Sequence, residues 1–385
     1  MMPDFPPYGE EHEAFRRAVR AFAESKIAPF SEEWDRACYF PDELFHQAGE
    51  QGYFGLRFDE TYGGLGLDYW YVGIMIEELM RARNVGVVVG LLIQCEMATS
   101  VIHKYGSEEL KREFLVPAIA GERIAALGIT EPGAGSDVAA IRTTAKRVGG
   151  DYVINGQKTL ITNGLRAHFV TLAVRTGESG PHGVSVILVP TDAPGFSRGR
   201  LLKKTIVPSS DMAELFFDRC RVPARYLVGE ENKGFYYIMD LFQGERLVLS
   251  YIINSLAREM IEEALKYMRD RSAFGKKLAE MQIWRHRFAD VLTDFEASKM
   301  LTYRATDLLN RGDAQAEVAV SMARLFAAEF IRRAALECAQ VFGGYSLMEE
   351  YWISRAVLGV HGFGVGAGTQ EIQREIIAKR LIGQA

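Results

Sequence analysis

The chain has 385 residues, of which 48% are hydrophobic and 25% are charged, and its formal net charge is −5. A chain of this length exceeds the size at which one hydrophobic core stops growing, so we expect two or three domains. Acidic and basic residues are interspersed, which argues against a nucleic-acid-binding protein, because such proteins usually carry a basic patch or stripe.

The four cysteines lie far apart and form no CxxC pair. Their spacing predicts neither a disulfide framework nor a metal site, and a reducing compartment is the simplest context for them. The N-terminus is acidic, and no signal peptide is visible. The longest apolar run, Val85 to Ile93, is too short to cross a bilayer. The sequence therefore predicts a cytoplasmic protein that does not enter a membrane.

Helical periodicity dominates from Glu10 to about Ile119. Three apolar stripes recur at helical spacing: Phe15, Val19, Phe22 and Ala23; Leu44, Ala48 and Tyr53; and Leu110, Phe114, Leu115 and Ile119. The glycine-rich segment from Phe54 to Asp68 reads as a loop between helices.

The pattern changes to short β-rich runs from about Ala125 to Leu227. The runs are Phe169 to Val174, Val184 to Val189 and Ala213 to Val222. Asn155-Gly156 follows a further apolar run and is typical of a tight turn. This region reads as a small β domain.

Long helical segments return from about Phe235 onward, and their short polar connections indicate an antiparallel bundle. We therefore predict an α+β multi-domain fold. An N-terminal α-helical domain (1–122) precedes a middle β-barrel or β-sandwich domain (123–230), and a C-terminal four-helix bundle (231–385) follows. This order excludes a Rossmann domain, in which strands and helices alternate.

The most informative stretch is Gly128 to Asp137, which reads Gly-Ile-Thr-Glu-Pro-Gly-Ala-Gly-Ser-Asp. Its backbone N–H groups and hydroxyls could receive a polar ring edge or phosphate oxygens. On composition alone, the favoured reading is a tight turn chosen for its glycines.

The whole string resembles the signature of the acyl-CoA dehydrogenase family. The resemblance continues in family order through essentially the whole chain. Its further segments are Gly156–Gly164, Met212–Phe217, Arg221–Pro223, Arg271–Lys276, Gln340–Gly344 and Ala367–Ile372.

The resemblance implies an FAD cofactor between the β domain and the C-terminal helices. Thr130 would hydrogen-bond the pyrimidine edge of the flavin, and the Thr162 hydroxyl would approach flavin N5. Arg271 would grip the pyrophosphate of a neighbouring subunit's FAD, a task that suits a planar guanidinium. The other cofactor-binding residues implied are Leu127, Ile129, Gly135, Ser136, Leu160, Ser272, Phe274, Gln282, Gln340, Gly343, Gly344, Thr369 and Glu371.

The chain departs from the family pattern at two places. Leu160 stands where many relatives carry a tryptophan near the flavin. Upstream of the C-terminal glycine loop, Leu358, Gly359 and His361 replace an Arg-Asp pair and a further basic residue. Their effect on the flavin environment and on the acyl-CoA pocket is open at this stage.

The chemistry of the family needs a base that removes the α-proton while a hydride leaves the β-carbon. A carboxylate suits this task when a partly apolar pocket raises its pKa towards the working pH. Many members carry this glutamate before the Gly-Thr of the C-terminal loop, but here the position is Ala367, preceded by Gly366. A subset that includes isovaleryl-CoA and long-chain enzymes carries it on an earlier helix, just before an arginine, and Glu245-Arg246 fits that pattern.

Helical geometry supports Glu245 independently, because Phe242, Glu245 and Ile253 fall close to one apolar face. The alternative is a surface glutamate paired with a nearby lysine or arginine. The implied substrate-binding residues are Phe242, Arg246, Gly366 and Ala367, and the two small residues would leave room for a branched or bulky acyl chain.

The leading hypothesis is FAD-dependent α,β-dehydrogenation of an acyl-CoA thioester, with Glu245 as the base. Three alternatives stay open: the same reaction on an acyl-carrier-protein thioester, a catalytically silent flavin-binding member, and a flavin oxidase. The resemblance implies a homotetramer, with a dimer as the alternative, and an electron-transfer flavoprotein as the acceptor. It does not identify the acyl chain.

Overall fold

A computed structural model describes residues 5–383, and its elements follow the predicted helical–β–helical order, which confirms the fold class. The α-helices are α1 (Glu10–Phe22), α2 (Ser31–Ala37), α3 (Glu43–Glu50), α4 (Tyr69–Leu79), α5 (Val85–Leu92), α6 (Ser100–Tyr105), α7 (Glu108–Leu110), α8 (Val116–Ile119), α9 (Gly234–Asp270), α10 (Gln282–Asn310), α11 (Ala316–Phe342), α12 (Trp352–Gly359) and α13 (Gln370–Ile382). The strands are β1 (Ala125–Gly128), β2 (Thr144–Val148), β3 (Asp151–Thr162), β4 (Phe169–Arg175), β5 (Val184–Pro190), β6 (Phe196–Arg198), β7 (Met212–Pro223), β8 (Ser272–Ala273) and β9 (Lys276–Lys277).

The chain divides into two compact units. The β unit comprises Glu32–Asp68 and Gly86–Glu245, and the helical unit comprises the chain through Ser31, Tyr69–Val85 and the chain from Arg246 onward. The division falls inside α9. The domain boundaries expected after residues 122 and 230 stay a prediction.

A seven-stranded sheet forms the centre of the β unit, in the order β1-β4-β2-β3-β7-β6, with β5 paired to β4. The strands β4 and β5 are buried along their whole length except at the last residue. Both are mainly apolar, with Thr171 and Ser185 as buried polar residues, which is typical of strands that are covered on two faces. By contrast, β3 and β7 alternate between buried and more accessible residues over part of their length.

The tight turn predicted at Asn155-Gly156 is wrong, because β3 runs through both residues. The sequence produces a β-bulge there: the register with β7 shifts between Ile154 and Gly156, and Gly156 has a φ of +147°. A Cβ at Gly156 would lie 2.6 Å from Thr143 Oγ1. Glycine is therefore required at this position, because the segment that contains Thr143 passes so close to it. The actual turn lies at Gly149, between β2 and β3.

The helical segment that starts at Val85 continues beyond Ile93, the residue at which the apolar run in the sequence ends. A helical stretch of 21 residues, Val85–Tyr105, has the length and composition of a membrane span. However, 78% of its most apolar window is buried inside the protein. Core helices of globular proteins have this character, since a helix that is hydrophobic all round must be covered on every side.

In the helical unit, α4 is buried on nearly every face and carries two carboxylates into the interior. The Glu78 carboxylate is 1% exposed and accepts hydrogen bonds from Arg16 Nη1 at 2.8 Å and Arg20 Nε at 2.7 Å. These bonds tie α1 to α4. The guanidinium groups also hold the pKa of Glu78 below its ordinary value, against the opposing effect of burial.

Candidate active site

A narrow apolar cavity lies within the β unit. Three parts of the chain form its walls: the helical segment after α5, the strands β1, β4 and β5, and the first turns of α9. The lining residues are Glu96, Met97, Val101, Leu127, Ile129, Thr171, Ala173, Val186, Ile238, Leu241, Phe242 and Glu245. Apart from Glu96, Glu245 and Thr171, the lining side chains are apolar, so the cavity suits an apolar ligand group.

One face of α9 forms a wall of this cavity. Ile238, Leu241, Phe242 and Glu245 follow the spacing i, i+3, i+4 and i+7, which brings residues onto one face of a helix. The predicted base and the predicted substrate residue Phe242 therefore share one cavity. The same spacing identifies Ile238 and Leu241, which no motif in the sequence marks.

Two carboxylates line the cavity, and their surroundings differ. Glu96 is 4% exposed, and Arg57 binds both of its oxygens, with Nη2 2.9 Å from Oε2 and Nε 3.4 Å from Oε1. An ion pair of this kind holds a carboxylate in place. Glu245 is partly buried and ends the row of apolar side chains that α9 presents to the cavity.

The signature segment begins beside the cavity, and its later residues lead away from it to the surface. Leu127 and Ile129 line the cavity, whereas Gly135 and Ser136 are exposed further along. Thr130 is partly buried between them, and its carbonyl oxygen accepts a hydrogen bond from Thr159 N at 2.9 Å.

Thr162, the residue predicted to approach flavin N5, ends β3 and is partly buried. Leu160 lies two residues before it at a second register shift, with a φ of +58° and 57% of its surface exposed. An apolar residue in this conformation is uncommon. The departure from the family pattern therefore lies on an open face of the β unit.

In the helical unit, a second group of predicted cofactor residues shares an open cleft of about 850 Å³. Arg271, Gln340, Gly343 and Gly344 line it together with aromatic residues, among them Tyr267 and Phe342. A guanidinium, an amide and exposed glycine backbone suit phosphate and ribose oxygens. The donor set therefore fits one half of a dinucleotide such as FAD.

The remaining cofactor candidates do not line this cleft. Ser272 and Phe274 belong to the β8–β9 hairpin that follows Arg271, and Phe274 at its tip is 98% exposed. Gln282 begins α10. The structure places Thr369 and Glu371 at the start of α13, where the Thr369 side chain accepts a hydrogen bond from Ile372 N. Hydrogen bonds from its own backbone N–H and from Thr369 lower the pKa of Glu371.

The glycine-rich segment before α13 is ordered by side chains of the helical unit. Arg324, which is 1% exposed in α11, donates hydrogen bonds to the carbonyl oxygens of Phe363 and Gly366. Ala367 adopts a φ of +55° and Gly368 a φ of +85°. A Cβ on Gly368 would lie 3.8 Å from Arg246 Nε, so Arg246 contacts the loop that carries Gly366 and Ala367.

A further cleft of about 920 Å³ opens on the β unit beside the signature segment. Asp137, Arg142 and Arg175 line it. The Arg175 guanidinium donates to the carbonyl oxygens of Ala139, Ile141, Glu178 and Gly180, at 2.6 to 3.2 Å, and so fixes both rims. Arg142 is exposed and open to an anionic ligand. Within residues 5–383, no cluster of three metal-ligating side chains occurs.

Several lining residues were not predicted, namely Glu96, Met97, Val101, Thr171, Ala173 and Val186. They lie on separate helices and strands, and no local pattern marks them as a group. Their role depends on which faces the fold brings together.

Comparison with known proteins matches each of the three parts of the chain to a domain of one protein family. Family models described as the N-terminal, middle and C-terminal domains of acyl-CoA dehydrogenase match residues 9–122, 126–220 and 232–382.

Full-length relatives agree with these matches. The long-chain specific acyl-CoA dehydrogenase of Sus scrofa is 36% identical over 97% of this chain and 87% of its own. A crystal structure of acyl-CoA dehydrogenase from Geobacillus kaustophilus has a TM-score of 0.95 and is 38% identical, covering 98% of this chain and 99% of its own. The FAD complex of PigA has a TM-score of 0.95 at 27% identity, covering 99% of this chain and all of its own.

Proposed function

The chain belongs to the acyl-CoA dehydrogenase family, and we propose that Glu245 is the base with which it removes the α-proton of an acyl-CoA thioester. It is a flavin-dependent oxidoreductase with FAD as its cofactor. The observation that carries the proposal is the apolar cavity that Glu245 and Phe242 line together with Leu127 and the signature residue Ile129.

In this mechanism the acyl chain enters the apolar cavity, and burial of its methylene groups supplies the binding free energy, at about 25 cal/mol per Å². Glu245 takes the α-proton, and a double bond forms between the α and β carbons. A bound FAD would supply the acceptor for the hydride that leaves the β-carbon. Thr130, Thr162 and Ser136 are the residues of the β unit that we propose to hold the flavin.

We propose that Arg142 receives the anionic end of coenzyme A in the cleft beside Asp137. Guanidinium groups suit phosphates, and the rim that Arg175 fixes would keep the cleft open. Relatives named as acyl-CoA dehydrogenases favour CoA over an acyl-carrier-protein thioester, and they do not favour a silent flavin-binding member. Gly366 and Ala367 support a branched or bulky acyl chain.

The homotetramer, the electron-transfer flavoprotein and the cytoplasmic location are further proposals. The exposed Phe274 lies three residues after Arg271, which the resemblance places against a neighbouring subunit's FAD, and this position supports assembly. All four cysteines are unpaired, which suits a reducing compartment.

Anaerobic titration with straight, branched and aromatic acyl-CoAs, and with the matching acyl-pantetheines, tests the substrate class. We expect the bound flavin to bleach with acyl-CoAs, most strongly with branched or bulky chains. Bleaching by pantetheines at equal concentrations would remove CoA recognition from the proposal. A strong preference for straight chains would contradict the branched-chain assignment.

A further inference from the structure

A buried ion pair lies directly behind the segment that borders the cavity. Lys158 in β3 is fully buried, and its ammonium donates hydrogen bonds to Glu131 Oε1 at 2.7 Å and to the carbonyl oxygen of Ile129 at 2.9 Å. Glu131 is 7% exposed. The Lys158 side chain therefore binds the residues on both sides of Thr130, Ile129 and Glu131.

The Glu131 carboxylate extends this network to the start of β2. Its Oε1 also accepts a hydrogen bond from Thr143 N at 2.9 Å, and its Oε2 accepts one from Arg142 N at 2.6 Å. Burial opposes the charge on Glu131, but Lys158 and these hydrogen bonds outweigh it, so the pKa of Glu131 is lowered. Burial lowers the pKa of Lys158 to about 8, which leaves both groups ionised at neutral pH.

The same segment is also held through its backbone. Thr159 N, the neighbour of Lys158, donates to the carbonyl oxygen of Thr130 at 2.9 Å. Ile129, Thr130 and Glu131 are thus each anchored by adjacent residues of β3. The side chain of Ile129 meanwhile forms part of the cavity wall.

A purely stabilising role explains this arrangement poorly. A buried ion pair contributes little net stability, since an apolar pair of similar volume is often equally stable. Directional hydrogen bonds to a carbonyl and a carboxylate do something that an apolar pair cannot: they fix the position of a short irregular segment. Residues that contact ligands are effective only when such a supporting layer holds them.

We propose that Lys158 and Glu131 are a positioning pair, which fixes the Ile129–Glu131 segment so that Thr130 meets the flavin and Ile129 meets the acyl chain. Neither side chain touches substrate or cofactor in this role. The proposal rests on the FAD assignment made above.

The test uses E131Q, K158M and the double variant E131Q/K158M as apoproteins. FAD is added, and its dissociation constant is read from the quenching of flavin fluorescence. We expect each single variant to weaken FAD binding by roughly 10-fold to 100-fold, as when a residue that supports a ligand contact is removed. The double variant should lose no more than the worse single variant, because the two residues act as one unit.

E78Q provides the matched control. Glu78 is equally buried and bound by two arginines, but it lies in α4 of the helical unit. We expect E78Q to lower the melting temperature of the apoprotein while leaving the FAD dissociation constant and the visible flavin spectrum at wild-type values. E131Q should change both, even at temperatures far below its own melting temperature.

Wild-type FAD affinity and an unchanged flavin spectrum in E131Q would overturn the positioning role, whatever its stability. If K158M does not fold, E131Q alone decides, since it changes one atom and keeps the shape of the side chain. A wild-type protein that binds FAD but is not bleached by any thioester would contradict the proposed reaction and not the positioning pair.

Discussion

At the scale of single residues, the proposed site depends on the carboxylate of Glu245. Ala367, the other position that the family resemblance implied for the base, has no carboxylate and adopts a left-handed conformation next to Gly368. Glu245 instead lines an apolar cavity on α9. The helical spacing around Glu245 made this residue predictable, whereas Glu96 was not, because only the fold brings it to the same cavity.

The cavity-lining residues of β4 and α6 are expected to set the acyl preference. Ala173 is 1% exposed and lines the cavity, so A173L would narrow it, whereas V101A would widen it. We expect A173L to lower kcat/KM for bulky acyl-CoAs by at least about 10-fold, because one methylene in a hydrophobic pocket changes it by about 10-fold to 200-fold and leucine adds three carbon atoms. V101A should shift the preference in the opposite direction.

Steady-state kinetics with a graded acyl-CoA series measures both effects, and flavin content serves as the control. Equal losses for short and bulky substrates in A173L would mean that the acyl chain lies elsewhere.

At the scale of elements, the strand patterns were predictable and their irregularities were not. The buried runs of β4 and β5 were located to within one residue from their composition. The two bulges of β3 were missed, because Asn155-Gly156 has the local signature of a turn and only its long partner β7 extends the strand through it. Tertiary pairing overrode local preference there.

The turn that follows β3 is fixed by a second buried ion pair. Arg166 donates to Asp211 Oδ1 at 2.6 Å and to the carbonyl oxygen of Phe40 at 2.8 Å, and both charged side chains are fully buried. We expect R166M to lower the free energy of unfolding by about 3–5 kcal/mol, because it leaves Asp211 charged and unpaired. Urea denaturation measures this loss.

The exposed pair of Arg36 and Glu32, at 2.6 Å, is the comparison. R36A should cost less than about 0.5 kcal/mol. Similar losses in R166M and R36A would show that the buried pair has no special role in the fold.

We expect His103 in α6 to make the free energy of unfolding depend on pH. Its ring stacks on Phe58 at 4.8 Å and its Nε2 lies 3.1 Å from Asp59 Oδ2. Burial lowers the pKa of His103, although Asp59 opposes the effect. The unfolded chain therefore takes up the proton first as the pH falls below about 6.5, so the contribution of His103 to stability is present above that pH and is lost below it.

Urea denaturation at pH 7.5 and pH 5.5 tests this assignment. The drop in unfolding free energy between the two values should be smaller in H103N than in the wild type. An equal drop in both proteins would assign the pH dependence to other groups.

At the scale of the whole molecule, the three-part organisation could be predicted from periodicity, and the family motifs support it in order. The proposed assembly rests, in the sequence, only on the resemblance at Arg271. The structure adds that Phe274, three residues further, is 98% exposed at a hairpin tip.

We expect the wild type to sediment as a tetramer and F274D to form smaller species that retain less FAD. Analytical ultracentrifugation with absorbance at the flavin wavelength measures both quantities. V148D, at another exposed apolar position, is the control and should behave as the wild type. A monomeric wild type that keeps its FAD would contradict the assembly.

The most direct test of the central claim compares the two carboxylates of the cavity. The rate of flavin bleaching after anaerobic mixing with an acyl-CoA is measured for the wild type, E245Q and E96Q, each with FAD bound. We predict that the rate of flavin bleaching in E245Q is about 100-fold to 10,000-fold lower than in the wild type, which is the usual contribution of a general base. The rate in E96Q should stay within about tenfold of the wild-type rate. Rapid bleaching in E245Q, together with its loss in E96Q, would contradict the assignment of Glu245 as the base.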